Sequence, residues 1–196
     1  DITVPDDHIV ASTGLLQNPE EILSKKQNER YQQAKTSDRP LFIVTPDEAA
    51  KAQKKTSAKK TKTWRFAAQN VRDFAFASSR KFIWDAWGRD IAGKQVMAMS
   101  FYPNEAEPLW SKYSTHAVAH ALDVYSRMVS PYPYPVSISV NGPVYGMEYP
   151  MITFNGPRPT KEKDYHGKSR GSVPWVHSKY GLISVIIHEV GHNWFP

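Results

Sequence analysis

The strongest constraint on the fold is a pattern near the end of the sequence, in which two histidines enclose three other residues. The pattern reads His188-Glu189-Val190-Gly191-His192, and it follows a largely apolar run over 183–187. The β-branched run alone fits either a buried strand or a helix. On a helix, side chains four residues apart lie on one face, one turn apart. The pattern therefore favours a helix over 178–194 with both imidazoles on one side.

Two imidazoles on one helical face can bind a single metal ion. Zn²⁺ takes neutral histidine nitrogens as ligands, and a glutamate inside the H-E-x-x-H pattern is placed to remove a proton from water at the ion. With 7 histidines in 196 residues, chance gives such a pentad in roughly 1% of similar chains. The sequence therefore predicts zinc ligands at His188 and His192 and a general base at Glu189.

Composition excludes several other kinds of site. The chain is 40% hydrophobic, which is enough to bury a core, and it contains no Cys. A chain without Cys has no disulfide, no thiolate zinc ligand and no thiol nucleophile. The Gly-x-Ser-x-Gly pattern of serine hydrolases is missing from the sequence. No apolar run is long enough to cross a bilayer, so we expect no membrane span in this segment.

The net charge of +6 comes largely from a lysine-rich run at 51–62. Its six members are Lys51, Lys54, Lys55, Lys59, Lys60 and Lys62. Such a run is typical of a solvated loop or hairpin tip, although it is also compatible with a non-catalytic module that binds nucleic acid or an anionic surface. No aromatic residue interleaves the lysines to stack on bases. We therefore expect a solvated loop and no nucleic-acid partner.

The first part of the chain has mainly strand patterns. Asn18 is placed to cap a helix that continues to Ala34. Aromatic residues alternate with polar ones at 70–76 and 81–84, which predicts antiparallel, half-buried strands. We interpret 1–103 as a β-rich part.

From Pro103 onward the pattern becomes helical. Apolar spacing predicts a helix over 105–129, followed by strands at 136–140 and 148–154. The helix carries His116 and His120 four residues apart. With no carboxylate between them, we interpret these two as structural histidines. Together with the first part, this gives an α+β fold.

A second motif lies about 40 residues before the histidine pair. It reads Tyr145-Gly146-Met147-Glu148-Tyr149-Pro150. With the pentad it resembles the Gly-x-Met-Glu-Asn and His-Glu-x-x-His signature of the gluzincin metallopeptidases of the membrane alanyl aminopeptidase family. The runs 70–77 and 188–196 also look like the bacterial branch of this family. The resemblance extends over essentially the whole chain.

The resemblance implies a fold and a domain division. Residues 1–103 would be the C-terminal part of an N-terminal β domain, which in this family is a saddle-like sandwich. Residues 104–196 would be the N-terminal part of a thermolysin-like zinc peptidase domain. The fragment would therefore end shortly after the pentad.

The same resemblance implies roles for six residues. His188 and His192 would bind Zn²⁺, and Glu189 would be the general base. Glu148 would hold the free α-amino group of a peptide substrate, and Gly146 and Met147 would line the cleft. The implied activity is the removal of N-terminal residues from peptides, which makes the partner a peptide with a free N-terminus.

Two features limit what the resemblance implies. The family's third zinc ligand, a Glu, and its transition-state Tyr would lie beyond Pro196, so we expect the fragment alone to be inactive. Tyr149 stands where the family usually has Asn. A related gluzincin endopeptidase or hydrolase that does not anchor the α-amine is therefore an alternative. The lack of Cys fits an exported bacterial protein, with a cytoplasmic one as the alternative.

Overall fold

A six-stranded mixed sheet organises most of the structure. The computed structural model describes residues 1–54, 60–159 and 174–195. The strands are β1 Ile2–Pro5, β2 Ile9–Ser12, β3 Leu15–Leu16, β4 Leu41–Val44, β5 Thr61–Trp64, β6 Phe66–Ala67, β7 Phe76–Ser79, β8 Ile83–Ile91, β9 Lys94–Tyr102, β10 Val136–Asn141, β11 Gly146–Tyr149 and β12 Ile152–Asn155.

The helices stand before, between and after these strands. They are α1 Pro19–Ile22, α2 Lys25–Ala34, α3 Pro46–Gln53, α4 Leu109–Met128 and α5 Pro174–Gly191, and a 3₁₀ turn covers Asn104–Ala106. Within the described ranges, no helix is both long enough and apolar enough to cross a bilayer. The mixed α+β class is thus confirmed.

The large sheet has the strand order β11-β12-β10-β9-β8-β4. Strand β10 runs parallel to both β9 and β12, whereas β8–β9, β4–β8 and β11–β12 are antiparallel pairs. The remaining strands form three two-stranded ribbons, β1-β5, β2-β7 and β3-β6. The large sheet contains strands from both sides of residue 103, so β8 and β9 lie with the later strands.

Both faces of the sheet are covered by apolar packing. In β9, Met97 and Phe101 join the cluster that includes the N-terminal strands and α2. The alternating residues Val96, Ala98 and Tyr102 join a second cluster with α4 and α5. Period-two alternation along an extended strand produces this division. The central strands are therefore buried on both sides, and α4 and α5 lie together on one of them.

The predicted helix from Asn18 to Ala34 is divided in two. Asn18 makes no capping hydrogen bond; its side chain instead donates to Thr63 O and accepts from Arg65 N, at 3.0 and 2.9 Å. The cap of α2 is Ser24, which forms a reciprocal capping box with Gln27. The Asn18 side chain therefore joins β5 to the segment at the start of α1, and both its amide nitrogen and its amide oxygen have a hydrogen-bond partner there.

The prediction of a solvated loop over 51–62 is wrong at both ends of that range. Lys51 lies within α3, which starts with a capping box between Thr45 and Glu48. Lys62 lies in β5, with its ammonium 5.0 Å from the centre of the Trp64 ring. Residues 55–59 lie outside the described residues.

Two strand predictions also need correction. At 70–76, only the last residue belongs to a strand, β7. The single strand predicted at 148–154 is a hairpin, because the chain turns at Pro150 and Met151 between β11 and β12. Met151 has a φ of 69°, in the left-handed region that an extended strand does not enter.

Candidate functional site

The pentad lies at the C-terminal end of α5, as predicted. Leu182, Ile186 and Val190 are spaced four residues apart and are fully buried, which fixes one face of the helix against α4. The adjacent face presents His188, which is exposed. His192 follows the last helical residue, and its backbone N–H still bonds to Glu189 O at 3.3 Å. The helix therefore presents both imidazoles beside β11.

The two imidazoles have the separation that a shared zinc ion requires. Their Nε2 atoms lie 3.2 Å apart, and two tetrahedral ligands with Zn–N bonds of 2.0–2.1 Å stand about 3.3 Å apart. The Nδ1–H of His192 donates to Phe195 O at 2.8 Å. Because this bond occupies Nδ1, the lone pair of His192 is on Nε2, where a metal would bind. The donor set fits Zn²⁺.

Glu189 is buried beside this pair, with 6% of its surface exposed. Its ligand atoms and those of His188 and His192 all lie within 4.8 Å of one another. Burial raises the pKa of the Glu189 carboxyl; the neighbouring Glu148 adds to the rise, and the two histidines oppose it. A carboxylate with a raised pKa is suited to accept and return a proton.

Gly146 makes room for the Glu189 carboxylate. A Cβ at residue 146 would overlap Glu189 Oε1 and would stand 3.0 Å from Val185 Cγ2. Gly191 has a similar role on the other side of α5, because a Cβ there would stand 3.1 Å from the Tyr125 hydroxyl. Glycines at these two places let α5 approach β11 and α4 closely.

Strand β11 is an edge strand among the described residues. Gly156 N donates to Tyr145 O at 2.8 Å, so alternation of the ladder directs the N–H and C=O groups of Gly146 and Glu148 away from β12. Side chains two residues apart share one face of a strand. Glu148 therefore lies on the Glu189 side, and Met147, which is exposed, lies on the other.

A cleft of about 190 Å³ borders Glu148 and His192. Arg72 also lines it, with Nη2 3.9 Å from Glu148 Oε1 and Nε 3.7 Å from Asp73 Oδ2. Tyr134 closes another part and donates its hydroxyl to Asn70 O at 3.1 Å. The structure thus brings together the six residues that the sequence singled out, with Met147 alone facing away from Glu189.

Several residues that hold the site have no signal in the sequence. Asn193 Oδ1 accepts from Met151 N at 3.2 Å, and Asn193 Nδ2 donates to Val190 O at 3.0 Å, so it joins the end of α5 to the β11–β12 turn. Thr13, far away in the sequence, donates to Pro150 O at 3.0 Å. Only the position of Asn193 directly after the pentad could have drawn attention to it.

The second histidine pair forms no comparable group. His116 and His120 are both exposed on α4, and the His116 ring lies 5.4 Å from the Trp87 ring. In the part of the chain that the structure describes, His188, Glu189 and His192 are the group of three or more histidines and carboxylates that could hold a metal.

Sequence comparisons find no relatives of this chain. No protein-family model matches it, and no curated protein matches it.

Solved structures do match it. An M1 zinc metallopeptidase from Deinococcus radiodurans is 16% identical, with a TM-score of 0.56 over 98% of this chain and 32% of its own. A variant of a two-domain M1 zinc metallopeptidase bound to L-arginine is also 16% identical, with a TM-score of 0.55 over 98% of this chain and 32% of its own. Legionella pneumophila aminopeptidase A, in complex with aspartic acid, is 9% identical, with a TM-score of 0.56 over 95% and 18%.

The likeness to these structures is one of fold. The chain spans about a third of the length of the first metallopeptidases that it matches. Its mixed α+β arrangement therefore corresponds to part of the fold of M1 zinc metallopeptidases.

Proposed function

We propose that this chain belongs to a zinc-dependent aminopeptidase and supplies two of its zinc ligands, its general base and its α-amine anchor. The observation that carries the proposal is the pair of Nε2 atoms 3.2 Å apart, beside a buried Glu189 that packs against the edge strand bearing Glu148. An M1 zinc metallopeptidase bound to L-arginine and an aminopeptidase in complex with aspartic acid, both similar in fold to this chain, support the same interpretation.

Each residue has a role that follows from its position. A peptide would lie along the free edge of β11 and bond to the outward N–H and C=O groups of Gly146 and Glu148, as an added strand does. The Glu148 carboxylate would pair with the substrate's ammonium group. Zinc, when bound, supplies a Lewis acid for the scissile carbonyl and lowers the pKa of water. Glu189 would take the proton from that water and pass it to the leaving amine.

The chain would then contain parts of two domains. We propose that residues 104–196 represent the N-terminal part of a thermolysin-like catalytic domain and that residues 1–103 represent the C-terminal part of a saddle-like β domain, with β9 of the first part pairing with β10 of the second. A catalytic zinc site uses three protein ligands. The third, a glutamate, and the transition-state tyrosine would then follow Pro196.

Zinc content and hydrolysis test the metal assignment. We expect the full-length protein to bind about one zinc per chain and to hydrolyse aminoacyl-anilides. His188→Ala should lose most of the zinc and the activity, as measured by metal analysis and initial rates. His116→Ala, at an exposed position of α4, is the matched control and should retain both. Full zinc and full rate in His188→Ala would refute the assignment of this site.

Blocking the amino terminus distinguishes an aminopeptidase from an endopeptidase. Loss of a charge-assisted ion pair reduces binding, so N-acetylation of a peptide should reduce kcat/KM by about a hundredfold or more. Glu148→Gln should raise KM for the free peptide and remove most of the difference between free and acetylated forms. Equal cleavage of both peptides by the unaltered protein would favour the endopeptidase, in which Arg72 keeps Glu148 paired.

A further inference from the structure

We propose that a second cavity, beyond the N-terminal end of β11, binds the C-terminal carboxylate of a short peptide substrate through Lys81 and Arg158. The inference rests on the proposed aminopeptidase function and adds to it a substrate class, peptides of about three or four residues.

The cavity has a volume of about 600 Å³ and lies at the N-terminal end of β11. Its walls include the loop over 142–145, which leads into β11, and residues 156–158, which follow β12. Tyr145 belongs to these walls and directly precedes Gly146, and its side chain is 70% exposed. The space therefore begins at the residue that leads into β11, the strand that would pair with substrate.

The charge of the cavity suits a carboxylate. Lys81 and Arg158 both line it, and its described lining contains no carboxylate. Arg158 uses its Nε–H on Asn141 Oδ1, and a guanidinium carries further N–H groups that bind a carboxylate at two points. Lys81 Nζ lies 3.3 Å from Glu105 Oε1, a pair whose side chains are both nearly half exposed. Two cations against one exposed carboxylate leave an excess positive charge.

The direction of a bound peptide follows from the positions of Glu148 and Glu189. If Glu148 holds the amino terminus and the scissile carbonyl lies opposite Gly146, the peptide runs antiparallel to β11. Each further residue advances about 3.3 Å toward Tyr145 and then Val144. The third or fourth residue therefore reaches the cavity, where Lys81 and Arg158 would meet its carboxylate.

Paired substrates test this subsite. Hydrolysis of a tripeptide with a free carboxylate is compared with hydrolysis of its C-terminal amide by the zinc-loaded full-length protein. We expect kcat/KM to be about tenfold or more higher for the acid, since a charge-assisted pair typically contributes that much. In Lys81→Gln/Arg158→Gln the ratio should fall to about one, mainly through KM. Lys81→Arg should keep the preference.

A lysine at the opposite end of the same hairpin provides a matched control. Lys94 is exposed at the β8–β9 turn, roughly 30 Å from Lys81 at about 3.4 Å per residue. Lys94→Gln should preserve the acid-to-amide ratio. A ratio near one in the unaltered protein would overturn the proposal, as would an unchanged ratio in the double variant.

A binding measurement separates this proposal from the proposed function. Calorimetry on Glu189→Gln compares the affinity of the tripeptide acid with that of its amide without turnover. Tighter binding of the acid, lost in the version that also carries Lys81→Gln and Arg158→Gln, supports the subsite; equal binding overturns it. Failure of the unaltered protein to hydrolyse anilides or peptides would instead refute the aminopeptidase function.

Discussion

At the scale of single residues, the site depends on space as much as on chemistry. The Glu189 carboxylate occupies the volume that a side chain at 146 would need. The edge strand and the end of α5 can therefore be this close only because residue 146 has no Cβ. The outward backbone groups of β11 then stand next to the Glu189 carboxylate.

Gly146→Ala should displace Glu189. The new methyl group would overlap Oε1, and a misplacement of about 1 Å in a catalytic group can cost about a hundredfold in rate. We expect kcat for an aminoacyl-anilide to fall by about that factor, while zinc content by metal analysis stays near that of the unaltered protein, because His188 and His192 are not contacted.

Gly181→Ala is the matched control for this change. Gly181 lies on α5, the helix that carries Glu189. A Cβ there would stand 3.9 Å from the Tyr145 hydroxyl, an ordinary contact. Alanine also favours a helix over glycine by about 1 kcal/mol. Its rate should remain within about twofold of the unaltered protein; equal losses in both variants would contradict the role given to Gly146.

The placement of the two histidines could be predicted from spacing, whereas the contacts that hold them could not. Helical periodicity alone puts His188 and His192 on one face. The acceptor for His192 Nδ1, Phe195 O, depends on how the chain leaves the helix. The bond from Thr13 to Pro150 joins residues 137 positions apart, and no local pattern encodes such a contact.

At the scale of elements, a buried polar cluster joins β8, β9 and α4. Asp85 on β8 accepts hydrogen bonds from Tyr102 on β9, at 2.6 Å, and from Thr115 on α4. Thr115 Oγ1 also lies 2.7 Å from Ser100 Oγ, and because its single proton goes to Asp85 it accepts the hydrogen bond from Ser100. Burial raises the pKa of Asp85 to about 7 from 3.8, although both hydrogen bonds oppose the rise. The Asp85 carboxyl, which is titratable, thus links β8, β9 and α4.

The raised pKa of Asp85 should make stability depend on pH. Between pH 3.8 and about 7 the folded chain holds a proton that the unfolded chain has released. The contribution of Asp85 to the free energy of unfolding therefore decreases as pH rises through this window and is level above it. The total change is on the order of a few kcal/mol.

Urea unfolding at pH 5 and pH 8 tests this dependence. The free energy of unfolding should be higher at pH 5 than at pH 8 by the contribution of Asp85. We expect Asp85→Asn to lose most of that difference. Asp38→Asn, at an exposed carboxylate, is the comparison and should keep the difference. If Asp85→Asn retained the full pH dependence, the titration would belong to another group.

Elements were predictable where one pattern dominates and not where a turn interrupts it. The helix around His116 and the strand at 136–140 have clear periodicity, and α4 and β10 match them within a few residues. The hairpin of β11 and β12 reads as one strand because Pro150 and Met151 fit an extended pattern. Met151 has a left-handed φ, and its N–H donates to Asn193, which follows α5; this contact is a tertiary one that no local pattern encodes.

At the scale of the whole molecule, the N-terminal segment contacts the β11–β12 turn beside the candidate site. Thr13 is fully buried, donates to Pro150 O at 3.0 Å and accepts from Ala75 N at 3.2 Å. One hydroxyl therefore joins the segment before α1, the segment before β7 and the β11–β12 turn.

Thr13→Val keeps the shape of this side chain and removes both hydrogen bonds. Leaving the buried Pro150 carbonyl and the partly buried Ala75 N–H without a partner costs about 1–3 kcal/mol, and we expect urea unfolding to report a loss in that range. Thr3→Val removes an exposed hydroxyl contact with Thr63 and should cost less than about 0.5 kcal/mol. Equal losses in the two variants would argue against the buried link.

The arrangement of the sheet was the least predictable property. The pattern changes at Pro103, and this change suggested a division between 103 and 104. The neighbours of β9 are nonetheless β8 from one side of that point and β10 from the other. Hydrophobic alternation predicts that a strand exists and which faces it buries, but it carries no information about which strand lies beside it.

The overlap between a Cβ at 146 and the Glu189 carboxylate also has an evolutionary consequence. The order in which the two positions change therefore matters. A side chain acquired first at 146 displaces the Glu189 carboxylate, whereas a shorter residue acquired first at 189 leaves room for a side chain at 146. With the proposed peptidase function, lineages that abandoned proteolysis should therefore have lost Glu189 before, or together with, Gly146. A descendant that kept the glutamate but carried a larger residue at 146 should be rare.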